Sequence, residues 1–187
     1  MLSAGIDVGS VAAKAVVFDS ATRSVAGSAL LPTGWNTREA GEAVLDAACR
    51  EAGAGRHDLG QVVATGYGRI ALPFAQKTVT EITCHAKGAS WLFPGSGVVL
   101  DIGGQDSKAI SLDEHGGVRD FVMNDKCAAG TGRFLQVLAG ILGMPLDELG
   151  QTAANGTPVP ISSMCAVFAE TEIVGLLAQG TPPADLA

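Results

Sequence analysis

Asp7-Val8-Gly9-Ser10-Val11-Ala12-Ala13-Lys14-Ala15-Val16-Val17-Phe18-Asp19 and Asp101-Ile102-Gly103-Gly104-Gln105-Asp106-Ser107-Lys108-Ala109-Ile110-Ser111-Leu112-Asp113 align without a gap, 94 positions apart. Asp, Gly, Lys, Ala and the closing Asp fall in register, which marks an internal repeat. Each copy reads as a short apolar strand ending in Asp, a sharp Gly turn and a second strand. A polar turn then leads to a third strand, over 25–31 in one copy and 118–123 in the other. The unit that decides the fold is a three-stranded meander used twice.

Between the copies, Asn36-Thr37-Arg38-Glu39 sets an acid three residues after a capping residue. Ala40, Ala43, Val44 and Ala47 follow at helical spacing, which predicts a helix over 37–52. A strand over 61–68 runs into Gly66-Tyr67-Gly68, and a second helix over 81–93 stops at Pro94-Gly95. Beyond the second meander, helices are predicted over 133–142 and 166–177. The expected fold is α/β with two domains, 1–94 and 95–187, each a meander plus helices around a mixed sheet.

Composition narrows the function classes. With 187 residues, 47% hydrophobic and 17% charged, the chain buries a real core and is not disordered. Twelve Lys and Arg against 19 Asp and Glu give a net charge of −7, the wrong sign for a protein that holds a nucleic-acid backbone. Mean hydropathy is +0.30, but the apolar residues are dispersed and no run nears the ~18 that a membrane span needs. Met1 to Asp7 carries no basic leader and sets a carboxylate where a signal sequence is apolar, so no membrane partner and a cytoplasmic location are expected. The 25 glycines imply tight turns and close backbone approaches.

A strand that ends in Asp and turns through Gly brings backbone amides close to an anion while the carboxylate holds a hydrated cation. One such turn is ordinary loop chemistry; two in a duplicated chain point to phosphate. On this reading one ATP with its Mg²⁺ is gripped from both halves. Asp7 and Asp101 are the metal-side carboxylates, acting through water, and Gly9, Ser10, Gly103 and Gly104 supply amides. Lys14 and Lys108 are either phosphate contacts or solvated strand residues. Gln105 or Asp106 positions the Mg²⁺ or the attacking water.

The four cysteines are irregularly spaced, which argues against a disulfide framework. Cys49 and Cys84 fall within predicted helices and read as core. Cys127 and Cys165 lie at or near predicted helix N-termini, where free amides favour a thiolate. Their separation is no local metal motif, and the residues alone favour structural thiols there. His85 beside Cys84 reads as an ordinary helix residue, since the sequence shows no Asp or Asn placement that would complete a catalytic set, and His57 and His115 read as solvated. Tyr67 and Arg69 serve either a cleft or the loop that carries them.

The paired loops resemble the phosphate loops of the actin, hexokinase and Hsp70 superfamily. The resemblance narrows at Gly5-Ile6-Asp7-Val8-Gly9-Ser10, Ala64-Thr65-Gly66-Tyr67-Gly68-Arg69, Asn124-Asp125-Lys126-Cys127-Ala128-Ala129-Gly130-Thr131-Gly132-Arg133-Phe134 and Ser162-Ser163-Met164-Cys165-Ala166-Val167-Phe168-Ala169-Glu170. Together these are similar to the activators of 2-hydroxyacyl-CoA dehydratases and to the ATPase subunits of benzoyl-CoA reductase, over nearly the whole chain. The resemblance implies duplicated actin-like (ribonuclease H-like) domains with five-stranded mixed sheets. It also implies an ATPase that passes one electron to a dehydratase, taking it from a ferredoxin or flavodoxin in an anaerobe. A homodimer would share one 4Fe–4S cluster, ligated by Cys127 and Cys165 of each subunit. Members of that family continue past the second cysteine helix into further helices and a Gly-Gly-containing adenosine loop. This chain stops at Gly180-Thr181-Pro182-Pro183-Ala184-Asp185-Leu186-Ala187, which implies an incomplete second domain. Two rivals predict otherwise: a small-molecule kinase of the same superfamily with no cluster, and an interaction module with no ATPase activity.

Overall fold

The computed structural model describes residues 1–187. The first meander is β1 (Leu2–Val8), β2 (Ala12–Asp19) and β3 (Ser24–Pro32), and helix α1 (Thr37–Glu51) follows. Alternation dictates the strands: Ala4, Ile6 and Val8 of β1 and Ala13, Ala15 and Val17 of β2 all point into one core. Helix α1 starts where the capping residue predicts, with Asn36 Oδ1 accepting from the Glu39 amide at 3.2 Å and Asn36 Nδ2 donating to the Glu39 carboxylate at 3.2 Å. Its face of Ala40, Val44, Leu45, Ala48 and Cys49 closes that core. Gly27 on β3 allows this approach, because a Cβ there would meet the Ala48 carbonyl and the Ala52 amide, both at 2.5 Å.

Strand β4 (Leu59–Thr65) adds parallel to β1, and β5 (Lys77–Thr78) adds parallel to β4, giving a five-stranded mixed sheet in the order β3-β2-β1-β4-β5. The predicted strand over 61–68 ends early, at Thr65, because Gly66 turns into positive φ (83°) and residues Tyr67–Ala71 coil into a 3-10 turn. Helix α2 (Glu81–Leu92) ends before Pro94 as expected.

The second meander is β6 (Val98–Ile102), β7 (Ser107–Leu112) and β8 (Val118–Asn124), in a sheet ordered β6-β7-β8. This sheet differs from the expected mixed one: it holds the meander's three strands, and every regular element after β8 is a helix. These are α3 (Gly132–Ile141), α4 (Leu146–Ala153), α5 (Ala166–Ala178) and α6 (Pro183–Leu186).

By their contacts the residues form two compact units, Met1–Val99 with Ala109–Phe121, and Leu100–Lys108 with Val122–Ala187. The first contains the core under α1 and a smaller cluster in which Ala86 of α2 packs on Ile110 and Leu112. The second is organised around Leu138, Leu142, Leu149, Ile173 and Leu186. No helix is long and apolar enough to cross a membrane.

Candidate phosphate loops and cysteine turns

The repeat is structural as well as textual. In the first loop the Gly9 amide donates to the Ala12 carbonyl at 3.1 Å; in the second the Gly103 amide donates to the Asp106 carbonyl at 2.8 Å. These are the same positions of the repeat. The carboxylates are held alike too. Lys14 Nζ lies 3.0 Å from Asp7 Oδ2, and Lys108 Nζ lies 3.3 Å from Asp101 Oδ2. Asp7 pairs directly with Lys14 across β1 and β2, so register alone brings the two charges together. Both Asp side chains stay partly open to solvent, 25% and 20% exposed.

The loops then diverge. Lys14 is exposed, whereas Lys108 is buried and also bonds Asp106 Oδ1 at 2.6 Å, with Asp106 itself buried. Burial works against the Lys108 ammonium, but the hydrogen bond and charge of Asp106, with Asp101 behind it, outweigh burial and hold its pKa above the ordinary lysine value. Ala12 occupies the position of Asp106 in the first loop and offers no second anion. Gln105 is exposed in the second loop, and Ser10 is half-buried in the first.

Two neighbours of the loops carry more of the site than their sequence context announces. A Cβ on Gly66 would strike Asp7 Oδ1 and, at 2.5 Å, the Val8 carbonyl, so the chain after β4 passes directly against the first carboxylate. In the second loop the amides of Gly132 and Arg133 donate to the carbonyls of Gly103 and Gly104 at 2.8 and 2.9 Å. Thr131 caps α3 there, 1% exposed, donating to the Ala128 carbonyl at 2.6 Å and accepting from the Phe134 amide at 3.5 Å. The N-terminus of α3 is thereby strutted onto the second loop. Arg69 is tied within the first unit, to the Gly66 carbonyl at 2.9 Å and to Glu81 at 3.3 Å, while Tyr67 is exposed.

All four cysteines are free thiols. Cys49 is buried in the first core, where burial and then Asp46 push its pKa up, and Cys84 is half-buried on α2. Cys127 is exposed and Cys165 half-buried. Asn124 fixes the Cys127 turn from both sides, Oδ1 accepting from the Cys127 amide at 3.1 Å and Nδ2 donating to its carbonyl at 2.9 Å. Cys165 is the N-cap residue of α5, and Glu172 of that helix accepts from the Ser162 amide just upstream at 2.8 Å. Cys127 lies four residues before the cap of α3. No three side chains of His, Cys, Asp or Glu converge on a metal position within the chain. Two thiols of the right type are presented, half of what a 4Fe–4S cluster takes.

A meander with an Asp-tipped Gly turn, repeated with the same bonds, defines an actin-like ATPase. The chain belongs to the BadF/BadG/BcrA/BcrD ATPase family, whose model matches residues 4–187. It is 45% identical over 182 residues to the activator of lactoyl-CoA dehydratase of Anaerotignum propionicum, covering 96% of this chain and 69% of that protein. The crystal structure of component A of (R)-2-hydroxyglutaryl-CoA dehydratase from Acidaminococcus fermentans superposes with a TM-score of 0.94 at 40% identity, over 100% of this chain and 71% of that one. The activator of 2-hydroxyisocaproyl-CoA dehydratase from Clostridium difficile, solved with bound ADPNP, gives 0.93 at 40% identity, over 99% and 69%.

Proposed function

We propose that this chain is an ATP-dependent one-electron activator of a 2-hydroxyacyl-CoA dehydratase or a related CoA-ester reductase. The observation that carries the reading is the union, in one chain, of two phosphate loops with matching internal bonds and two accessible thiols on pinned turns. Relatives named as activators, at 40–45% identity over nearly all of this chain, support it and disfavour a small-molecule kinase.

Asp7 and Asp101 hold the waters of a Mg²⁺ ion, and the amides of Ser10 and Gly104 face the phosphates, with Lys14 and Lys108 keeping the two carboxylates in place; the Gly9 and Gly103 amides, expected to face phosphate as well, are instead engaged within the loops by the Ala12 and Asp106 carbonyls and shape the turns. We assign orientation of the attacking water to Gln105, since Asp106 Oδ1 is already engaged by Lys108. Cys127 and Cys165 from each of two subunits would ligate one 4Fe–4S cluster, which takes four thiolates. The cluster, when bound, stores one electron, received from a ferredoxin or flavodoxin and destined for the dehydratase. The halves 1–94 and 95–187 act as the two domains of this machine, in the cytoplasm of an anaerobe.

Iron and sulfide content with a visible spectrum, measured anaerobically on wild type, Cys127→Ser, Cys165→Ser and Cys49→Ser, tests the reading. About four iron per dimer, lost in the first two variants and kept in the third, is expected. Iron-free protein after anaerobic reconstitution would overturn the activator in favour of a cluster-free ATPase.

A further inference from the structure

We propose that Thr65 is a positioning residue of the first phosphate loop, its hydroxyl holding one water of the hydrated divalent cation carried by Asp7. This rests on the function proposed above. Thr65 is 8% exposed, and its Oγ1 is a buried side-chain polar atom without a hydrogen-bond partner. Buried hydroxyls are almost always bonded, and one that is not calls for an explanation. Its position supplies one. Thr65 pairs with Asp7 in the parallel β1–β4 register, and Asp7 pairs with Lys14 on the other side. Lys14, Asp7 and Thr65 therefore form a row across three strands, and directly paired residues of neighbouring strands share a face of the sheet.

Gly66 follows at once and passes so close to Asp7 that no Cβ fits between them. A strand spacing of ~4.8 Å leaves facing short side chains within reach of one bridging water. Phosphate is the poorer occupant, because its charge would meet that of Asp7. A water polarised by a divalent cation donates strongly, and carboxylate and hydroxyl both accept from it. The second loop has no such partner: β6, which carries Asp101, is the first strand of its sheet, and Asp106 and Lys108 crowd the loop instead.

The test is a Mg²⁺ titration of ADPNP binding to the full chain, anaerobically, for wild type, Thr65→Val and Thr65→Ser, with thermal melting of each protein free of nucleotide. Thr65→Val should raise the Mg²⁺ concentration for half-maximal binding about 5- to 10-fold, and Thr65→Ser should restore it. Its melting temperature without nucleotide should equal or exceed that of wild type, since the variant loses only an unbonded hydroxyl. Thr65→Ala, which also lacks the hydroxyl, carries the test if Val does not fit. An unchanged Mg²⁺ requirement overturns the proposal, whether or not melting drops. Equal weakening at every Mg²⁺ concentration overturns it in favour of a direct phosphate contact. A wild-type chain that binds no ADPNP at any Mg²⁺ concentration would instead overturn the parent reading along with it.

Discussion

Lys14 and Lys108 occupy the same position of the repeat and touch its equivalent aspartates, Asp7 and Asp101, yet their energetic roles diverge. Lys14 sits in water, where an ion pair gains at most about 1 kcal/mol. Lys108 has 3% of its side chain exposed and lies between Asp101 and Asp106, so removing its charge strands a buried carboxylate. Breaking such a buried pair costs about 3–5 kcal/mol. At roughly 2–4 °C per kcal/mol for a chain of this size, Lys108→Met should melt at least about 6 °C below wild type and Lys14→Met no more than about 4 °C below. Equal shifts in a melting experiment would show that the buried triad is not what holds the second loop. The identity of both lysines was legible from the alignment of the repeats, but their burial was not, because it depends on what packs over each loop.

At the scale of elements, local signals suffice where a cap, a proline or alternation sets the boundary. The start of α1 follows from Asn36 and Glu39, the stop of α2 from Pro94, and the meanders from alternation. The prolines after Thr181 announce α6, whereas α4 and β5 are too brief for periodicity to declare them, and their positions are set by tertiary contacts. The pairing of β4 with β1 joins residues far apart in sequence, which is why Thr65 and Gly66 stood out only as a motif. The Thr131 strut has the same character. Its capping role is local, but its purpose, holding α3 on the carbonyls of Gly103 and Gly104, is long-range. Thr131→Ala should therefore cost about 1–2 kcal/mol and speed amide exchange at Arg133 and Phe134, with Thr131→Ser close to wild type. Unchanged exchange at those amides would mean that the loop carbonyls, not the cap, secure the helix.

Over residues 1–187 the duplication is kept in sequence and in bonding, while the two first strands differ in burial. Ala4, Ile6 and Val8 of β1 are 4%, 1% and 0% exposed beneath α1, while their repeat equivalents Val98, Leu100 and Ile102 of β6 are 61%, 76% and 66% exposed. On β7 it is Ile110 and Leu112, on the alternate phase of the pleat, that are buried, against α2. The same pattern of residues is thus covered in the first sheet and open over this span of chain in the second, and a strand's composition alone cannot say which face a helix covers. Substitution at equivalent positions measures this directly. Ile6→Ala should destabilise by about 2–4 kcal/mol, since it opens a cavity in a closed core. Leu100→Ala should stay within about 0.5 kcal/mol, because the methyls it removes already face water. Chemical denaturation of both variants, with melting as a second probe, decides the matter: a loss at Leu100 as large as that at Ile6 would mean that the second sheet buries, in solution, the same face as the first.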